Sequence, residues 1–80
     1  MKDTKTLRLD QLPATQTARI IAIHTSGLLQ QKLFNMGFIP GADVEMIRAA
    51  PLLDPLKVKL LDYLVTLRRT EAHFVEVTMP

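Results

Sequence analysis

The sequence predicts a mainly β protein with one short α-helix, built as a small, strongly curved antiparallel sheet that closes on itself while the helix caps one open end. Three observations carry this. Leu56-Lys57-Val58-Lys59-Leu60 alternates with strict period two, so Leu56, Val58 and Leu60 face a core and the lysines face water. One helical stripe, Leu28, Leu29, Leu33 and Met36, lies between runs that read as strands. The whole chain has 80 residues, too few for two packed layers of long strands, and forms one domain over 1–80.

From the amino terminus, residues 1–6 are polar and read as a flexible tail. Leu7, Leu9 and Leu12 then form a short edge strand or extended arm ending at Pro13. Ala18-Arg19-Ile20-Ile21-Ala22-Ile23-His24 is rich in β-branched residues and nearly uncharged, as expected of a central strand covered on both faces. Ser26 is the candidate N-cap of a helix over Gly27 to Met36, with Phe34 lying off its apolar stripe. A strand from Asp43 to Arg48 precedes the loop Ala49 to Pro55 and the alternating run at Leu56. Asp62-Tyr63 turns the chain into a strand over Leu64 to Arg68, Arg69-Thr70-Glu71-Ala72 gives one helical turn, and Phe74 to Thr78 closes the sheet.

The densest information lies in Leu33-Phe34-Asn35-Met36-Gly37-Phe38-Ile39-Pro40-Gly41-Ala42-Asp43-Val44. Gly37 can take the left-handed conformation that ends a helix, and Phe38 can fold back onto Leu33. Pro40-Gly41 supplies the two central residues of a type II turn. Leu-x-x-Met-Gly-Phe-x-Pro-Gly-x-x-Val resembles the central motif of the FeoA family. Pro51-Leu52-Leu53-Asp54-Pro55-Leu56 resembles its proline-bracketed loop, and Leu67-Arg68-Arg69-Thr70-Glu71-Ala72 with Val75-Glu76-Val77 resembles its C-terminal blocks. Thr15 and Asp62 stand where that family commonly has glycine. The resemblance implies an SH3-like barrel, a cytoplasmic location, and a partner: a membrane ferrous-iron transporter with a cytoplasmic G domain.

Composition narrows the chemistry. A hydrophobic share of 48% excludes disorder across the whole chain, and the absence of cysteine excludes disulfides and thiolate metal sites. A net charge of +2, with basic and acidic residues interspersed, demands no polyanionic partner. No apolar run reaches the length of a membrane span, and the polar amino terminus leads into no signal-peptide core.

Asp10, His24, Glu71, His73 and Glu76 are the candidate nitrogen and oxygen ligands, but their spacing matches no recognised metal site, so no metal or other cofactor is expected. The chain lacks a nucleophile elbow and a phosphate-binding glycine loop, and it reads as non-enzymatic. Arg48, Arg68 and Arg69 are available to act as an inserted arginine on a G domain, although surface arginines usually serve solvation. Lys57, Lys59, Arg68 and Arg48 could form a basic face, yet only Tyr63 is close enough to interleave a stacking aromatic, which argues against nucleic acid. The alternatives from other classes are therefore a small-barrel nucleic-acid binder and a detached relative of the regulatory domain of metal-dependent repressors.

A docking surface is the better use of these residues. Phe34 sits off the buried stripe, and Leu52 and Leu53 lie in a loop that Pro51 and Pro55 pre-order, which lowers the entropy lost on binding. Phe34, Pro51, Leu52, Leu53 and Pro55 are the expected partner-binding residues, and Gly37, Pro40 and Gly41 the structural motif. Weak self-association of the chain is a further expectation.

Overall fold

The computed structural model describes residues 5–48 and 54–79. Pro51, Leu52 and Leu53 lie outside the described residues. The elements are β1 (Lys5–Arg8), a 3-10 turn (Leu9–Gln11), β2 (Thr17–Ile23), α1 (Gly27–Met36), β3 (Asp43–Arg48), β4 (Leu56–Leu60), β5 (Tyr63–Leu67), α2 (Arg69–Ala72) and β6 (Val75–Met79). All six strands belong to one sheet in the order β1-β6-β2-β3-β4-β5, and every pairing is antiparallel. The inward residues of all the strands but β1, whose Leu7 packs against them, join one core centred on Ile20, Met46, Val58 and Val77. A single sheet buries its own inner face only by curling round it.

The period-two reading of β4 holds residue for residue, with Leu56, Val58 and Leu60 buried and Lys57 and Lys59 exposed. β3 also alternates, burying Val44 and Met46. β2 departs from expectation. It is central in the ladder, but it alternates buried and exposed residues instead of being covered on both faces, and Ile21 stands in solvent. Among the described residues its outward positions Thr17, Arg19 and Ile21 are exposed, so no element covers that face.

The amino-terminal arm is a strand only as far as Arg8. Lys5 and Thr6, expected in the tail, pair with Met79 and Thr78 of β6. The chain then tightens into the 3-10 turn, where residues three apart eclipse, and this drives both Leu9 and Leu12 into the core.

The helix begins and ends where the sequence places it. Ser26 occupies the N-cap with extended backbone but makes no side-chain capping hydrogen bond. Leu28, expected on the buried stripe, is 86% exposed. It lies about 140° round the helix from Leu33, whereas Leu29 and Met36 lie within about 60° of it. Only Leu33 is fully buried, with Leu29 and Met36 partly so.

At the other end Gly37 has φ 105°, the Phe38 N–H donates to the Leu33 carbonyl at 2.9 Å, and the Gly37 N–H donates to the Phe34 carbonyl at 3.0 Å. This pair of bonds is a Schellman stop. The type II turn follows: Gly41 has φ 97° and the Ala42 N–H donates to the Ile39 carbonyl at 3.1 Å. Bonds from Gly41 N–H to Ile20 C=O and from Ile20 N–H to Ala42 C=O, at 2.7 and 2.8 Å, fasten the turn to β2.

Two other turns use the left-handed region without glycine. Thr15 has φ 70°, one of the positions where the resembled family has glycine. In the β4–β5 hairpin the positive φ of 54° falls on Leu61 and not on Asp62, so Tyr63 is already the first residue of β5.

Gly37→Ala would place a Cβ against the Tyr63 hydroxyl as well as forcing a left-handed alanine. It should destabilise by about 2 kcal/mol, read as a melting temperature roughly 10 °C lower. Thr15→Gly should do the reverse, raising stability by about 0.5 kcal/mol, because a β-branched residue is strained at positive φ.

Candidate docking surface

Besides the burial of Leu33, helix α1 is held at two polar points, one on the sheet and one on α2. Tyr63 Oη donates to the Met36 carbonyl at 2.8 Å, across Gly37. One turn earlier, Lys32 Nζ donates to Glu71 Oε2 at 2.7 Å, joining α1 to α2. The other oxygen of Glu71 accepts the Arg68 N–H at 3.0 Å, which caps α2. The hydrogen bond from Lys32, then that from the Arg68 backbone, holds the Glu71 carboxyl below its ordinary value of 4.5.

This anchoring fixes what α1 presents. Phe34 is 40% exposed on α1. The neighbouring hairpin adds Leu61 and Leu64, which are 77% and 57% exposed. An open groove of about 420 Å³ runs between α1 and the second half of β5, with walls formed by Lys32, Asp54, Pro55, Thr66, Arg68 and Glu71. Pro55 therefore lines a groove with Lys32, but Phe34, two residues on, lies about 200° round the helix from Lys32. Phe34 and Pro55 thus belong to two flanks of α1. Gly37, Pro40 and Gly41 set its angle and line no part of that groove.

The candidate ligands are divided among separate partners. His24 Nε2 and Glu76 Oε1 lie 2.6 Å apart, and His73 Nδ1 lies 3.3 Å from Asp10 Oδ1. His24 is also the leading cause that holds the Glu76 carboxyl below its ordinary value. Glu71 is committed to Lys32 and Arg68. Among the described residues no three such side chains converge on one point.

Of the three arginines, Arg69 donates its backbone N–H to Asp54 Oδ1 at 3.1 Å and its guanidinium to the Asp10 carbonyl at 3.4 Å. Arg68 is exposed at the N-cap of α2, and Arg48 is exposed opposite Lys57. Lys57 and Lys59 do share the outer face of β4, but Glu45 sits opposite Lys59. Tyr63 points to the helix end instead of stacking on that face.

The model of the FeoA domain matches residues 7–79. The chain belongs to the FeoA family. It is 33% identical over 91% of its length to an Fe(2+) transport protein A/Fe(2+) transporter FeoB fusion protein of Porphyromonas gingivalis, and it spans only 9% of that relative. The solution structure of iron(II) transport protein A from Clostridium thermocellum is 40% identical, with a TM-score of 0.85 over 91% of this chain and 45% of that one. FeoA of Stenotrophomonas maltophilia, solved in complex with zinc and described as a prokaryotic SH3 domain protein, is 28% identical. Its TM-score is 0.78 over 89% of this chain and 88% of that one. The fold is SH3-like, and the family is one of ferrous iron transport. Among the described residues no helix is long and apolar enough to cross a membrane.

Sequence reasoning missed Tyr63 and Glu71 as the residues that hold α1. Tyr63 was legible only through register, since its partner Leu60 is an inward position. Glu71 carries the capping-box spacing from Arg68, but arginine is not a recognised capping residue.

Because its folded-state pKa is lowered, Glu71 adds stability that is complete above 4.5 and is lost as pH falls through the folded value. Glu71→Gln should lower the melting temperature at neutral pH and flatten its decline in acid. Parallel decline of variant and wild type below 4.5 would show that the Lys32 contact contributes nothing.

Proposed function

We propose that this chain is a non-enzymatic, cytoplasmic interaction module that docks on a membrane ferrous-iron transporter bearing a G domain and adjusts its assembly or activity in Fe(II) uptake. The observation that carries this reading is the fusion of a homologous domain to FeoB in one polypeptide of Porphyromonas gingivalis. Fusion holds two modules at high effective concentration, which serves them when they work in contact. Phe34, exposed on a helix that Tyr63 and Glu71 hold in place, has the rigid aromatic character of an interface anchor. Leu52 and Leu53, between Pro51 and Pro55, are the second anchor in this reading.

Against this, the nucleic-acid reading has no aromatic on the face of Lys57 and Lys59. Contact with a G domain through an inserted arginine would have to use Arg48 or Arg68, since Arg69 is engaged with Asp10 and Asp54.

The test is capture of the membrane transporter by the purified chain. Leu52→Asp with Leu53→Asp should cut capture at least tenfold while melting stays within a few degrees of wild type, and Phe34→Asp should do the same. Undiminished capture by both variants would remove these residues from the interface, and a collapse of melting would make the leucines core.

A further inference from the structure

We propose that β5 pairs antiparallel with β5 of a second copy of this chain, about a two-fold axis at Val65, joining the two sheets edge to edge. Among the described residues β5 is a terminal strand of the ladder, with β4 on one side only. Its hairpin loop is Leu61-Asp62, closed by the pair Leu60 and Tyr63. In a two-residue hairpin the closing pair exchanges both hydrogen bonds, and bonded pairs alternate along the ladder from there. Tyr63, Val65 and Leu67 therefore turn their backbone groups toward β4, and Leu64 and Thr66 turn theirs outward.

Nothing on β5 protects that edge. Tyr63-Leu64-Val65-Thr66-Leu67 has no charge, proline or glycine, and its pairing with β4 runs without a register shift. The pairings β2–β6 and β3–β4 are both interrupted by shifts. The other terminal strand, β1, is four residues long with a basic residue at each end. Proteins blunt exposed edges with charge, bulges and short length, so β5 is the edge left open to a partner strand. Leu64 is more than half exposed beside it.

The occupant is fixed by charge. Asp62 lies three residues before Val65 and Arg68 three after. Continued one residue past β5 at each end, an antiparallel partner of the same sequence centred on Val65 brings Asp62 of the hairpin loop near Arg68 at the N-cap of α2. The same register sets Leu64 opposite Thr66, the two residues whose backbone groups point outward, so the hydrogen-bonding and charge patterns agree on one axis. A two-fold contact of this kind closes on itself as a dimer.

Sedimentation equilibrium of the full chain tests it. The wild type should show a monomer–dimer equilibrium. Asp62→Lys and Arg68→Glu should each raise its dissociation constant about tenfold, and the double reversal should return it to within about threefold of wild type. Thr66→Pro removes an outward N–H that the β4 ladder does not use and should abolish the dimer. If that variant melts early, Leu64→Lys at an exposed position repeats the test. A wild type that stays monomeric at its highest soluble concentration overturns the proposal, as does a dimer indifferent to these changes. Loss of transporter capture by Thr66→Pro in a monomeric chain would assign the edge to the transporter instead.

Discussion

Between Leu33 and Phe38 the chain must leave a helix and enter the core within one turn, and the arrangement of every later element depends on how it does so. Leu33 and Phe38 are both buried, so the hydrogen bond from the Phe38 N–H to the Leu33 carbonyl joins two core positions and not merely two ends of a turn. Only a left-handed residue between them permits that bond, and Gly37 provides it. The lack of a side chain at Gly37 then admits the Tyr63 hydroxyl to the Met36 carbonyl. A ten-residue helix with a single fully buried side chain is marginal on its own, so α1 persists because this junction and the Lys32–Glu71 bond hold it.

The same junction explains the division between what was legible in the sequence and what was not. The limits of α1, β3 and β4 were readable because each is written locally: a glycine stop, a Pro-Gly turn, a strict alternation. Leu28 and Leu61 were not. Whether a leucine near the edge of a helical stripe is buried depends on how wide a strip the sheet accepts, and here only Leu33 and its nearest neighbours fit. The left-handed residue of the β4–β5 hairpin is chosen by strand register, which placed it on Leu61 in spite of the better tolerance of Asp62. Of the candidate site, the exposure of Phe34 was foreseeable from its place off the stripe, but Glu71 read as a possible ligand because its partner Lys32 is distant in sequence. Side chains whose role is set by a tertiary contact carry no local signature.

Among the described residues no polar or charged side chain is buried, which leaves the surface as the place where this domain differs from a generic small barrel. Among the described residues four charged or histidine–carboxylate contacts lie at or near the surface, where such contacts contribute little to stability, and three of them join elements far apart in sequence. Their structural effect is positional. Lys32–Glu71 holds α1 to α2, His24–Glu76 holds the end of β2 to β6, and His73–Asp10 holds the end of α2 to the 3-10 turn. Positioning of this kind suits a module that acts by presenting a fixed surface.

Two flanks of α1 are then available for different uses. Phe34 faces one, while the other is the groove between Lys32 and the second half of β5, which Pro55 also lines. A partner strand on the edge of β5 would run past Thr66 and Arg68, which form part of that groove's wall, so it would narrow the space that Pro55 also lines. It would leave Phe34 uncovered, because that side chain lies on the far side of the helix. Self-pairing at β5 therefore lowers the concentration of chains able to use the Pro55 flank without removing the Phe34 surface, and mass action makes that restraint depend on the amount of protein present. A transporter that engages both flanks would need the monomer, whereas one that engages Phe34 alone would accept the dimer.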